Sequence, residues 1–323
     1  MNSSFSMRSL VFFLCWMLCG SALAFDLQGH RGARGLAPEN TLAGFRQALA
    51  IGVTTLELDV GVTADGHVVI AHDPRLNPDL ARDASGAWLA APGPPLSTLT
   101  LAELKRFDVG RIRPGTRYAQ TCATQRGADG ERVPTLASLF DLVRASGNDR
   151  VRFNIETKLS PLAPELTPEP EAFARALLEV VRRHGMAGRT TVQSFDWRTL
   201  RAVQRLAPEL PIAALTARLQ GVDNLGDARW TAGLRLEDHG GSVPRLVKAL
   251  GASTWSPFHG ELTEALLAEA HALGLQVVPW TVNDPERIAR LLGWGVDGLI
   301  SDHPDRVREA LARRGMALPS PVP

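Results

Sequence analysis

Two rhythms of hydrophobic positions alternate along the chain. From residue 26 onward, short apolar runs that read as strands are separated by stretches whose apolar side chains recur every three or four residues, the spacing of a helix face. The pattern predicts a strand over 27–30. A helix opened by Pro38, Asn40 and Thr41 follows, with Leu42, Phe45, Ala48 and Leu49 at helical spacing, and then a second strand over 53–60. Asp65-Gly66 reads as a hairpin turn, and its return strand over 68–71 delivers His72 and Asp73 beside the second strand.

Residues 74–132 break the rhythm. Pro92-Gly93-Pro94-Pro95 interrupts any element, and the stretch from Leu99 to Phe107 supports at best one short helix. Loops this long inside a compact domain are usually functional, so the segment reads as a lid or specificity insert. Alternation then resumes with a helix at 135–146, a strand at 151–157, a stiff loop over 161–170 and a helix at 171–184. A strand at 190–194, a helix at 196–206 and a strand at 211–215 come next. In the ambiguous stretch 216–250, only a helix at 243–250 stands out. It is followed by a strand at 252–256, a helix at 261–273, a strand at 275–282, a helix at 285–293 and a strand at 298–300. Pro304 suits the first turn of a last helix, and the Pro-rich tail 318–323 is expected to lack fixed structure. Leaving out the hairpin's return arm, the count is eight strands, mostly with a helix between. The closed solution is an α/β fold, a (β/α)8 TIM barrel with a hairpin and a long insertion (about 74–132) after the second strand.

Composition adds a destination. Arg8, the apolar run 10–19 and Ala22-Leu23-Ala24 form the charged region, core and cleavage site of a signal peptide over 1–24, leaving a barrel domain over 25–317. The apolar run falls short of the about 20 residues a membrane span needs, so the product is expected to be exported, periplasmic or secreted, without stable membrane insertion. Cys15 and Cys19 would leave with the signal. Cys122 alone cannot form an internal disulfide, so stability has to come from burial. Acidic and basic residues nearly balance, with a formal net charge of +1, which argues against nucleic acid as a partner. Nothing in the pattern selects an oligomeric state.

The chemically suggestive residues sit at strand ends. His30 and Arg31 end the first strand, Glu57 and Asp59 the second, His72 the hairpin arm, and Glu156 and Lys158 the third; Gln193 ends the fourth and Trp280 lies in the seventh. In a barrel of this kind these ends converge on one mouth. Glu57 and Asp59 are two apart on a strand, so they face the same way, with Cα atoms about 7 Å apart. Three unpaired carboxylates would repel: two like charges 4 Å apart cost about 4 kcal/mol at an effective dielectric of 20. One divalent cation removes that cost, and an all-oxygen donor set favours Ca²⁺ or Mg²⁺. Surface ion pairs on an edge strand remain the alternative for Glu57 and Asp59. Either histidine could be a buried structural residue, but two beside acidic strand ends suit acid/base work near neutral pH. Arg31 and Lys158 suit a phosphate oxygen, or else balance the nearby carboxylates. Glu39 could orient a catalytic group, while Asn40 and Thr41 read as helix caps. Phe195 and Trp280 are either core or a wall for the leaving alcohol. His67, His184, His239, His259, His271 and His303 lie in turns or helices and carry no signal.

Read in order, H-R-G with P-E-N-T (30–41), E-L-D-V (57–60), H-D (72–73) and V-P-T-L (133–136) lead into N-I-E-T-K (154–158), S-F (194–195), W-T-V-N (280–283) and D-G-L-I-S-D (297–302). Together, at these spacings, they resemble the glycerophosphodiester phosphodiesterase family. The resemblance implies a barrel that hydrolyses glycerophosphodiesters to glycerol 3-phosphate and a free alcohol. It further implies Glu57, Asp59 and Glu156 as metal ligands, His30 and His72 as the acid/base pair, and Arg31 on the phosphate with Lys158 beside it. From their positions alone, Glu39 and Gln193 are expected behind these groups. Ser301 stands where the family usually has threonine, and the insert matches only in patches. Two other functions stay open on the sequence. One is phospholipase D-like cleavage of head groups from intact lysophospholipid or sphingolipid; the other is a non-catalytic, exported solute- or metal-binding barrel.

Overall fold

The computed structural model describes residues 25–219 and 221–322; the predicted signal peptide lies outside the described residues. Strand β1 (Asp26–Gly29) is followed by helix α1 (Leu42–Ile51), β2 (Thr55–Val62) and β3 (Val68–Ile70). β2 is buried along its whole length, as a strand covered on both faces must be, and β3 returns antiparallel against its far end. Further on come α2 (Leu101–Leu104), α3 (Arg117–Thr121), α4 (Leu136–Ala145), β4 (Arg152–Thr157), α5 (Pro170–Arg183), β5 (Thr190–Ser194), α6 (Trp197–Leu206) and β6 (Ile212–Thr216). A two-residue-per-arm hairpin, β7 (Arg218–Leu219) and β8 (Val222–Asp223), precedes α7 (Val243–Leu250), β9 (Thr254–Pro257), α8 (Glu264–Ala272), β10 (Gln276–Val277), α9 (Pro285–Trp294), β11 (Gly298–Ser301) and α10 (Pro304–Arg313).

The eight parallel strands run in the order β10-β9-β6-β5-β4-β2-β1-β11. The two ends of that order are joined by single bonds: Asp297 N to Val277 O at 3.1 Å, Ile300 N to Pro279 O at 3.1 Å and Val282 N to Ile300 O at 2.9 Å. The eight-stranded (β/α) barrel expected from the periodicity is therefore the fold. The seventh strand is shorter than the expected 275–282: its paired ladder stops at Val277, because Pro279 has no N–H to donate, and only an isolated bridge between Trp280 and Phe258 continues it.

The helix ends follow from local chemistry. The side chains of Thr41, Thr135, Asp196, Ser242, Thr263 and Asp284 each accept a bond from the first turn of the helix they open. Gly52, Gly251 and Gly295 close α1, α7 and α9 in the left-handed conformation. One continuous core joins strands and helices, with Trp197, Trp255, Phe45, Phe140, Phe153 and Phe173 as its largest fully buried side chains.

The insert carries more local structure than the one short helix expected over 99–107. It contains α2 and α3 rather than one helix and carries its own small core of Leu76, Ala81, Leu96 and Leu104 against Val69 and Val133. A few apolar residues spread over a polar segment suffice once an outer strand offers a surface to pack on, and no periodic pattern announces that. The tail also differs from expectation. Val322 N bonds Leu49 O at 2.9 Å, and Arg308 Nη1 donates to Pro319 O at 2.6 Å, so one backbone bond and one side-chain bond dock it beside the end of α1.

Candidate active site

Strand register assembles the acidic cluster. Asp59 of β2 is the lateral partner of Glu156 on β4, and Glu57 lies two residues earlier on the same face. Carboxylate oxygens of Glu57, Asp59 and Glu156 lie within 4.8 Å of one another, and all three residues are buried. Edge-strand ion pairing is thereby excluded for Glu57 and Asp59, each 1 % exposed.

Each acid has a distinct set of partners. Glu57 accepts from the Arg31 backbone N–H at 2.8 Å and from Gln193 Nε2 at 2.7 Å. Asp59 Oδ2 accepts from Asn40 Nδ2 at 2.9 Å and lies 3.2 Å from Arg31 Nε. Its other oxygen is buried with no hydrogen-bond partner among the described residues, although Lys158 Nζ stands 3.7 Å away. Glu156 pairs with Lys158 at 2.6 Å. Burial, reinforced by the charge of Asp59, pushes the Glu57 carboxyl well above its ordinary range. Burial also raises Glu156 to about 7, with Lys158 opposing and Asp59 adding to the rise. Burial would raise Asp59 too, but Arg31, His72, Lys158 and Asn40 together hold it well below the usual carboxylate value.

Two histidine–aspartate pairs flank the cluster. His30 Nδ1 bonds Asp302 Oδ1 at 2.6 Å, which turns Nε2 toward the acids, 4.0 Å from Glu57 Oε2. Asp302 is held in turn by Asn283 Nδ2 at 2.7 Å and Arg34 Nη1 at 3.3 Å. His72 Nδ1 bonds Asp73 Oδ1 at 2.7 Å, and Asn77 Nδ2 donates to the other Asp73 oxygen at 2.7 Å. In both pairs the carboxylate fixes which ring nitrogen carries the proton. Burial lowers both imidazoles: the partner Asp302 opposes this at His30, while Arg31 and Lys158 reinforce it at His72.

Backbone conformation delivers these groups. Arg31 (φ 49°) and Asn40 (φ 54°) are non-glycine residues in the left-handed region, where strain persists only if the surroundings enforce it. Gly32 (φ 88°) has no such option: an added Cβ would lie 2.7 Å from Gly44 C. Thr41 caps α1 as expected, but Asn40 does not: its side-chain amide bonds Asp59 instead. Glu39 accepts from Arg31 Nη1 at 2.8 Å, from Arg34 Nε at 3.0 Å and from the Tyr118 hydroxyl. The charge-balancing reading of Arg31 and Lys158 is thus realised in their contacts with Glu39, Asp59 and Glu156. Phe195 and Trp280 meet edge to face at 5.2 Å, with Lys158 Nζ 5.8 Å from the Phe195 ring, and Phe258 extends the wall at 5.7 Å from Trp280.

Sequence reasoning thus found the acids, the histidines, Arg31, Lys158, Gln193 and the two aromatics, all of which meet at this mouth. It missed Asn40 as a partner of Asp59, Arg34, Asp73, Asn77, Tyr118, Asn283 and Asp302. H-D, W-T-V-N and D-G-L-I-S-D were visible as motifs, but only the fold shows which of their residues reach the histidines. Tyr118 carried no signal.

Comparison with known proteins agrees with the geometry. The glycerophosphoryl diester phosphodiesterase family model matches residues 30–306. A glycerophosphodiester phosphodiesterase of Caldanaerobacter subterraneus subsp. tengcongensis is 30 % identical over 88 % of this chain and 97 % of its own length. A Silicibacter pomeroyi crystal structure assigned to the glycerophosphoryl diester phosphodiesterases is 37 % identical, with a TM-score of 0.81 over 91 % of this chain and 95 % of that one. The Oleispira antarctica phosphodiesterase solved with its product sn-glycerol-3-phosphate shares the fold at 23 % identity and a TM-score of 0.64, over 88 % and 96 % of the two chains. Since the family model spans both histidines and all three acids of the mouth, the chain belongs to the glycerophosphoryl diester phosphodiesterase family and is a phosphoric diester hydrolase acting on glycerophosphodiesters.

Proposed function

We propose that this hydrolase works with one divalent cation held by Glu57, Asp59 and Glu156, uses His30 and His72 as its acid/base pair, and releases glycerol 3-phosphate and a free alcohol. The observation that carries the reading is the unpartnered Asp59 oxygen in a cluster of three buried acids. Such an atom is costly unless something cationic meets it, and an all-oxygen donor set suits Ca²⁺ or Mg²⁺. When bound, the cation supplies charge withdrawal from the phosphodiester oxygens.

The remaining work belongs to side chains. Arg31 Nη1 is engaged by Glu39 and its Nε lies against Asp59, which leaves Nη2 without a partner among the described residues and available to an anionic oxygen. One imidazole takes the proton of the attacking hydroxyl while the other protonates the departing alcohol. The imidazole acting as base starts neutral, as burial favours, and becomes the imidazolium; the one acting as acid starts as the imidazolium, held by its Asp partner, and ends neutral once it has protonated the alcohol. Phe195 and Trp280 wall the alcohol, excluding water from its side.

The deciding experiment measures glycerol 3-phosphate release from a panel of glycerophosphodiesters, with chelator and after Ca²⁺ or Mg²⁺ is returned. Full activity in chelator would end the metal reading; phosphate ester products other than glycerol 3-phosphate would end the product assignment. Export after cleavage near Ala24 belongs to the same proposal, and N-terminal sequencing of the protein recovered outside the cytoplasm tests it.

A further inference from the structure

The insertion sends one side chain into the mouth that no strand end provides. Tyr118, the chain's single tyrosine, sits on α3, a five-residue helix with no buried residue of its own. Its hydroxyl donates to Glu39 Oε2 and accepts from Arg31 Nη1 at 3.3 Å and Arg34 Nε at 3.2 Å. The Arg34 guanidinium also lies over the Tyr118 ring, 4.8 Å from its centroid. Just beyond α3 the insert is tied to the loop after β1: Thr124 Oγ1 donates to Gly35 O at 2.7 Å, Gln125 Nε2 to Arg34 O at 2.8 Å and Arg126 N to Leu36 O at 2.9 Å. α3 is therefore held over the mouth by polar contacts rather than by core packing.

Arg31 depends on that arrangement. Its Nε lies 3.2 Å from Asp59 Oδ2 but makes no hydrogen bond among the described residues, so Nη1 carries the hydrogen bonds that orient the guanidinium, and its two acceptors are Glu39 and Tyr118. Glu39 in turn is positioned by Tyr118 and Arg34. A long flexible side chain binds an anion well only if its geometry is set before the anion arrives.

We infer that Tyr118 is a positioning residue: by fixing Glu39 and the Nη1 end of Arg31, the inserted segment sets the affinity of the mouth for the anionic oxygen of the phosphodiester. The inference rests on the reading of Arg31 as the phosphate-binding group, and the experiment separates the two.

The test compares Tyr118→Phe, which removes only the hydroxyl, with Arg31→Ala, using inorganic phosphate as a competitive probe alongside a glycerophosphodiester substrate. For Tyr118→Phe, KM and the phosphate inhibition constant are expected to rise together by about tenfold, the scale of one lost hydrogen bond to a charged group. Affinity for Mg²⁺ should stay within about twofold, since Glu57, Asp59 and Glu156 keep their partners. A merely structural role would instead lower kcat and Tm with KM and the inhibition constant unchanged, and that outcome overturns the inference. If Arg31→Ala weakens phosphate binding and Tyr118→Phe does not, Tyr118 alone loses its role. If Arg31→Ala leaves phosphate binding unchanged, the reading of Arg31 fails and the inference with it.

Discussion

Replacing Gln193 by Leu isolates the support behind one acid. Gln193 is 1 % exposed, and its Nε2 donates to Glu57 Oε1 at 2.7 Å. Hydrogen bonds to charged groups contribute about 1.5–3 kcal/mol. Burial keeps Glu57 inclined to hold a proton in the metal-free protein, so the bond is strongest when a cation has displaced that proton. At about 1.4 kcal/mol per factor of ten, its loss should weaken cation binding roughly 10- to 150-fold. The same change strips Asn154 Nδ2 of its acceptor on Gln193, at 2.9 Å, while the bond to Gln28 Oε1 at 2.8 Å remains. One orphaned buried donor costs about 1–3 kcal/mol of stability, so Tm should fall as well. Asn154→Leu is the control, because it disturbs the same buried chain but leaves the bond from Gln193 to Glu57 in place. Calorimetric titration with Ca²⁺ or Mg²⁺ gives the affinities, and thermal melts give the stabilities. Cation binding by Gln193→Leu within threefold of the parent would refute the reasoning, as would an equal loss of affinity in Asn154→Leu.

Other expectations follow from the same geometry. His30→Ala and His72→Ala should each lower kcat at least about 100-fold while cation affinity holds, and near-parental turnover in both would remove them from the mechanism. Cation affinity should depend on pH with a definite sign. Burial raises Glu156 to about 7 and shifts Glu57 in the same direction, so as pH falls below 7 the metal-free cluster gains protons that must leave when the cation binds. Affinity should therefore fall with falling pH, by about tenfold per unit for each proton displaced, and titrations in buffers of different ionisation heat should show proton release. Flat affinity between about pH 5 and 8 contradicts the raised values. Gly32→Ala combines a left-handed φ of 88° with a Cβ only 2.7 Å from Gly44 C. Strain alone costs about 1–3 kcal/mol, so Tm should drop by several degrees, and an unchanged melt would contradict the close approach.

The order of elements was legible because each needs a local pattern. Alternating strands and amphipathic helices with Thr, Asp and Ser caps implied eight strands, and eight parallel strands with crossovers close on themselves. The acids were legible for a related reason: Glu57 and Asp59 sit two apart on a strand, so their common face follows from the pleat. That Glu156 stands beside Asp59 depends on the β2–β4 register, which joins residues nearly a hundred positions apart. The insert was opaque because its small core forms only against β3 and the residues before α4, leaving α3 and Tyr118 without any periodic sign.

By itself, then, the sequence determined the barrel, the identity of the acids and histidines, and the chemistry they are suited to, because strand alternation, helix capping and residue type act over a few neighbours. The tertiary structure decided the rest: which aspartate holds each imidazole, that Asn40 steadies Asp59, that one Asp59 oxygen is left without a partner, and that the insertion reaches Arg31. Those contacts form between segments brought together only when the sheet closes, where packing, rather than local preference, selects the partner.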